Sequence, residues 1–391
     1  MTAAGRVSRL VMLFLAHGIC TVNFVIILAE APAIEESLGL NHATFGLMVS
    51  GYYGGLLACS VPAGIVVDRL GIRLSLALAH LLSGIGIGLF ALSHSMAPAM
   101  VGLAFCGAGY SLINPATARG ILAWFPVRGR ATAMGTKQTG VPAGGLVAAL
   151  AAAASADWRL LAFVIAAVTL AAAAGCLALR LAEPASATPV RFSDVRMVLQ
   201  QRGLMTFNLA ASMYGLAQGA FLAYLVLFAG DVMGAAPATA SLCLGVAYVA
   251  AAVGRIAWGF LSDNIARNGR LVSLVSCGLL AAIGVVMLVV LPRFGGLAAL
   301  PFLAALIGFT LSGYAGLTQT AVAESVDPRL TGAAIGFNLL MTNTGMMLGP
   351  VLFGAGVQFV GYGPSWIFLV AVILLAAGMF RMMFAPPRAA P

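Results

Sequence analysis

The sequence predicts an all-α polytopic membrane protein with twelve transmembrane helices in two six-helix pseudo-repeats. Three observations predict it. Of the 391 residues, 62% are hydrophobic and only 8% are charged, whereas about a quarter of a soluble domain is charged. Apolar runs near the roughly 20 residues that span a bilayer recur from end to end. A single long polar interruption, 181–202, divides these runs six and six. An outer-membrane barrel would instead show weak alternation in short segments.

Charge, Gly and Pro punctuate the chain and set each segment. The first, 10–34, follows Arg6 and Arg9 and reads as a retained helix, because the run is long and lacks a clear cleavage site. Glu35 and Glu36 separate it from 43–67, and "GIVVDRLGIR" (64–73) separates that from 73–93. Segments 97–122 and 131–153 are divided by Arg128 and Arg130. Asp157 and Arg159 precede 158–180. After the interruption come 203–230 and 237–261, divided near Asp231. "GFLSDNIARNGR" (259–270) precedes 271–292, and Arg293 precedes 297–322. Arg329 precedes 331–357, and 363–384 carries Arg381 near its end. The expected organisation is a first half at 1–180, a linker at 181–202 and a second half at 203–391.

Basic residues in loops set orientation. With the N-terminus inside, fifteen arginines (6, 9, 69, 73, 128, 130, 180, 191, 196, 202, 267, 270, 329, 381 and 388) fall inside, and only Arg159 and Arg293 fall outside. Both termini are therefore expected in the cytoplasm of a cell whose inner membrane holds the chain. The net charge of +9 does not imply nucleic acid, because the arginines are scattered over short loops. The six cysteines lie in apolar stretches without CxxC spacing, so neither a disulfide framework nor a metal site is expected. No nucleophile–base set or phosphate loop is apparent, so neither an enzyme nor a cofactor is expected. The lipid bilayer is the one obligatory partner, and a monomer is expected.

The second half echoes the first. Gly64 and Asp68 align with Gly259 and Asp263 at a constant offset of 195 residues. "GYSLINPATARG" in segment 4 is answered by "GYAGLTQTAVAE" in segment 10, as in transporters built from repeats. At these residues the chain resembles the major facilitator superfamily over nearly its whole length. "GxxxDRxGxR" at 64–73 looks like that family's loop motif, with Ile72 where a basic residue usually stands. Gly336, Gly345, Gly349 and Pro350 look like its glycine-rich antiporter motif, placed here in helix 11 rather than helix 5. The resemblance implies that Asp68, Arg69 and Arg73, echoed by Gly259 and Asp263, form a charge latch on one of two alternating states. Gly64 is expected to let a neighbouring helix approach. A topology signal and helix stop is the competing reading.

Ionisable residues inside membrane helices are costly and usually functional. Lys137, the only lysine among 20 basic residues, lies about 10 Å into segment 5, and Arg255 about 12 Å from the same boundary. By the resemblance, helices 5 and 8 face each other, so two cations line one cavity with no acid near them. That suits a small anion: Arg grips a carboxylate bidentately and Lys supplies a compact charge. Snorkelling competes for Lys137, and a pair with Asp263 competes for Arg255. Arg119 belongs either to this pocket or to a gate with Asp68. "KQTGVPAGG" resembles the cyanate-permease group, and "GRIAWGFLSD" resembles monocarboxylate and oxalate–formate carriers. Gln138, Tyr110, Asn114, Tyr214, Gln218, Tyr314 and Thr318 are candidates to complete the pocket, against a role in helix–helix hydrogen bonds. His17 and Glu30 are the coupling candidates; a neutral buried histidine and a water-facing carboxylate are the alternatives.

The expected function is secondary transport, by symport or antiport, of a small, carboxylate-type anion by alternating access, with a possible coupling proton. A proton-driven exporter of neutral or cationic compounds is the alternative, disfavoured by the scarcity of deep acids. A non-transporting sensor with a transporter fold is the third.

Overall fold

The computed structural model describes residues 3–126, 129–155, 157–178, 197, 200, 202–265, 268–294, 296–327 and 330–383. The expected linker 181–202 lies outside them except at 197, 200 and 202. So do Arg128, Arg180, Arg191, Arg196, Arg267, Arg329 and Arg388. The described elements are helical throughout.

The first crossing, α1 (Ala3–Ala29), stops short of the expected 34. Pro32 stands at the start of a short helix, α2 (Ala31–Leu38), and proline denies the preceding turn a donor. Next comes α3 (His42–Ala91), 50 residues long, opened by a reciprocal capping box between Asn41 and Thr44. It is two crossings joined at one residue. Gly107 lies against the Tyr52 carbonyl and Gly102 against the Gly86 carbonyl. Tyr52 and Gly86 therefore sit at similar depth, and the chain reverses between them. The reversal is at Gly71, with φ 77°, a conformation that side chains oppose. The expected loop between segments 2 and 3 is thus a single glycine break inside "GIVVDRLGIR".

α4 (Met96–Trp124) is continuous. The fifth crossing is broken into α5 (Arg130–Gln138) and α6 (Gly140–Ala154), and α7 (Trp158–Ala178) follows. Beyond the linker come α8 (Arg202–Asp231), α9 (Pro237–Asn264) and α10 (Gly269–Val290). The tenth crossing is the most irregular: α11 (Leu300–Ile307), a π turn (Gly308–Ser312), then α12 (Ala315–Ser325). α13 (Thr331–Val360) and α14 (Tyr362–Met382) complete the chain. Counted over the described residues, these are twelve crossings. Large apolar side chains such as Ile256, Phe260, Phe302 and Phe359 project outward from the bundle, as lipid-facing residues do.

An even number of crossings returns residue 383 to the face that residue 3 left, called here the terminal face. On the opposite, far face the first six and last six crossings are bonded together. His42 contacts Asp231 at 3.4 Å, the Tyr224 hydroxyl donates to the His42 carbonyl, and Ser241 Oγ donates to the Ala29 carbonyl at 2.9 Å. Gly46 abuts the Pro350 carbonyl. On the terminal face the ion pairs of the described residues stay within one set of six: Arg119 with Asp68, and Arg270 with Asp263 and Glu324. The molecule is closed on the far face.

Candidate functional site

Lys137 ends α5, and its position follows from the glycines after it. Gly140 abuts the Phe14 carbonyl and the His17 Cβ, and Gly144, one turn later, abuts the Gly18 carbonyl. A Cβ at either glycine would push α6 off α1. That close approach carries Lys137 against His17. The lysine is 1% exposed. Its Nζ donates to Thr117 Oγ1 at 2.8 Å and lies 3.3 Å from His17 Nε2. It is pinned between α1 and α4 rather than stretched to the membrane surface, so the snorkelling reading fails.

Arg255 reaches from α9 to the same place. Its Nη1 donates to the Gln138 carbonyl at 3.2 Å and its Nε to the Ser312 carbonyl at 3.3 Å. Both acceptors come from irregular helix. Residue 142, whose N–H would normally close on the Gln138 carbonyl, is a proline and has no N–H to give. Ser312 closes the π turn, whose winding is out of step with the α-helical ladder. Asp263, the alternative partner, is taken by Arg270. Lys137 and Arg255 thus converge on consecutive residues of α5, and His17 lies within electrostatic range of both. No ion pair among the described residues includes either cation.

Around them, Tyr110, Tyr248 and Tyr314 lie within electrostatic range of the guanidinium. Tyr110 meets His17 edge-on, with ring centroids 6.2 Å apart. The Tyr314 hydroxyl is buried without a hydrogen-bond partner. Gln138, which ends the lysine's own helix, and Asn114 on α4 are half-buried. Tyr214 meets the Tyr314 ring edge-on, with centroids 5.3 Å apart, but its hydroxyl turns away and donates to the Leu274 carbonyl at 2.8 Å, and its ring also packs on Phe380. Thr318 bonds its own helix at Ala315, and Gln218 is buried in α8. The sequence reading missed Thr117, Ser312 and Tyr248. Tyr248 carried a signal, since it precedes Arg255 by seven residues, two turns on one helix face.

At the terminal face, Arg119 Nη1 donates to the Val67 carbonyl at 2.8 Å and lies 3.4 Å from Asp68. This places it beside Asp68 rather than with Lys137. Arg73 reaches the Leu177 carbonyl at 3.5 Å, and Arg69 is exposed. The expected close approach at Gly64 is absent among the described residues, and Gly259 likewise faces open space. The close glycine packing lies instead at Gly345 and Gly349, which abut the Ser212 and Leu216 carbonyls of α8; Gly336 does not.

At the far face, His42 Nδ1 lies 3.1 Å from Glu35 while its Nε2 faces Asp231, and Tyr362 donates to Asp231 at 2.7 Å. Burial pushes the Glu35 carboxyl up, against the pull of its bond to His42. Glu30 stands at the break between α1 and α2. Burial, aided by the Asp157 charge, pushes its carboxyl up to about 7, and its Oε1 has no hydrogen-bond partner.

Known proteins share this architecture. The model described as Major Facilitator Superfamily matches residues 13–304. An uncharacterised MFS-type transporter of Mycobacterium tuberculosis is 25% identical, covering 97% of this chain and 86% of its own. A hexuronate transporter of Bacillus subtilis is 24% identical, covering 99% and 96%. Among solved structures, a bacterial homologue of the human lysosomal transporter Spinster superposes with a TM-score of 0.80 at 18% identity, covering 99% of this chain and all of the other.

Proposed function

The chain belongs to the major facilitator superfamily, and from that premise we propose that it moves a small organic anion across a cell's inner membrane by alternating access. One observation carries the anion: Arg255, from one set of six crossings, bonds the residue next to Lys137 of the other set, and no ion pair among the described residues includes either cation. A relative named as a hexuronate transporter supports a carboxylate on the cargo. In this reading both termini are cytoplasmic, and the anion enters from the terminal face. It draws Arg255 off the Gln138 and Ser312 carbonyls and binds between guanidinium and ammonium. A carboxylate is a better acceptor than a carbonyl, so this exchange favours binding. Because the cations belong to different sets of helices, one anion spanning both pulls the sets together on the terminal face. Asp68 with Arg119, and Asp263 with Arg270, stand at the mouth that then closes.

Thermal stability of the purified protein with D-glucuronate, D-galactonate, lactate and formate tests this, because a ligand of the folded state raises apparent stability. At least one anion should stabilise the native chain. Lys137→Ala and Arg255→Ala should each weaken its binding by about 2–5 kcal/mol, roughly thirtyfold to several thousandfold in Kd. Equal stabilisation of the alanine variants would sink the reading. Stabilisation by neutral or cationic compounds alone would favour the exporter.

A further inference from the structure

Thr117 has one hydroxyl hydrogen, which it can donate either to the Ile113 carbonyl at 2.6 Å or to His17 Nε2 at 3.0 Å. Its oxygen accepts from Lys137 Nζ at 2.8 Å. The nitrogens themselves are 3.3 Å apart. An ammonium has donors and no acceptor, so a bond between them requires Nε2 to supply the lone pair. The ring hydrogen then sits on Nδ1, which is buried without a hydrogen-bond partner. His17 itself is fully buried. The charged and titratable groups facing it are Lys137 from α5, Arg255 from α9 and Tyr110 from α4, with Cys20 one turn along its own helix. None is an acid that would hold a second positive charge in place.

We propose that His17 and Lys137 form a proton-binding pair that takes up one proton for each anion bound, with Thr117 as their common acceptor. The proposal rests on the anion reading above and assigns its coupling site. In the empty site the ammonium donates to Thr117 Oγ1 and lies beside His17 Nε2, to which the Thr117 hydroxyl donates, so the pair holds one positive charge. A bound anion turns the ammonium toward itself and frees the Nε2 lone pair. That lone pair takes a proton from water admitted with the anion. The Thr117 hydroxyl turns its hydrogen to the Ile113 carbonyl, and the new Nε2–H donates to Thr117 Oγ1, which the ammonium has left. No bond to carbon changes. The anion adds one negative charge and the proton one positive, so the buried site keeps its net charge. Without the anion, a second cation beside Lys137 would be opposed by both repulsion and burial.

Calorimetric titration of the full-length protein with D-glucuronate, D-galactonate, lactate and formate, in two buffers of different ionisation heat, counts the protons. The native chain should take up about one proton per anion near neutral pH, within the range where histidine titrates. His17→Gln keeps a polar side chain beside Thr117 and Lys137 but cannot titrate. It should bind the anion with about zero uptake, where a merely structural role would leave the proton count unchanged. Equal uptake by the variant, or none by the native chain on an anion it binds, overturns the pair. If none of the four anions binds, the anion reading falls. The pair is then judged on its own by nitrogen NMR of histidine-labelled native protein, assigned against His42→Gln, His80→Gln and His94→Gln. A neutral His17 ring with its hydrogen on Nδ1 supports it; an Nε2–H ring or an imidazolium in the empty protein overturns it. The same spectrum decides the question if His17→Gln does not fold.

Discussion

Glu30 and Lys137 are both charged residues placed in apolar surroundings, and the structure treats them differently. Lys137 has two polar partners for its Nζ, a hydroxyl and an imidazole. Glu30 has a buried oxygen with no partner, and its neutral form is favoured up to about pH 7. The folded chain therefore binds more protons than the unfolded one between the ordinary carboxylate range and about 7. Stability must fall as pH rises through that window. Glu30→Gln should flatten this part of a melting-temperature profile and raise stability at its alkaline end. A profile unchanged by the substitution would contradict the burial of the carboxyl. The lysine was legible at this scale because it is unique and lies deep in a segment. Its contact with His17 was not, because 120 residues separate the two and only the packing of Gly140 brings them together.

Helices carry the site through their defects. Proline at 142 releases the Gln138 carbonyl to Arg255, and the π turn presents the Ser312 carbonyl from the other side. Pro142→Ala should return an N–H to the ladder, straighten the junction of α5 and α6, and take the Gln138 carbonyl back. Arg255 then loses one anchor, worth about 1 kcal/mol. The expected result is tighter anion binding, since less must be displaced; weaker or unchanged binding would argue that the carbonyl bond is incidental. These defects mark the limit of what the sequence could show. Apolar length revealed nearly every crossing, because a bilayer demands it. Pro32 and Gly71 end helices where a motif or span was expected to continue. Tyr214 and Thr318 had pocket-like spacing, but the sequence could not say which face of α8 or α12 would be packed. Tyr214 spends its hydroxyl on α10.

For the whole molecule, the far face holds the two sets of six together through a small number of polar contacts. His42, bracketed by Glu35 and Asp231, is the most charged of them. Asp231→Asn weakens the attraction to His42 and leaves Tyr362 an amide in place of a carboxylate. It should raise the labelling rate of a single cysteine placed at the outer end of α9 several-fold, as the far face opens more often. An unchanged rate would show that apolar packing, such as Gly46 on Pro350 and Tyr248 on Gly145, holds that face alone.

The glycine seam between α1 and α6 gives the molecule a fixed reference. Lys137, His17 and Thr117 are bound into the first six crossings by that seam and by their mutual bonds, while Arg255 belongs to the last six. In the proposed cycle the helix that carries Lys137 moves with the first six crossings and Arg255 moves with the last six. The separation of the two positive charges is therefore the cycle's own coordinate. On the proposed function, an anion lying between them would feel a field that sharpens or spreads with each half-cycle, and affinity would become a readout of which face is open.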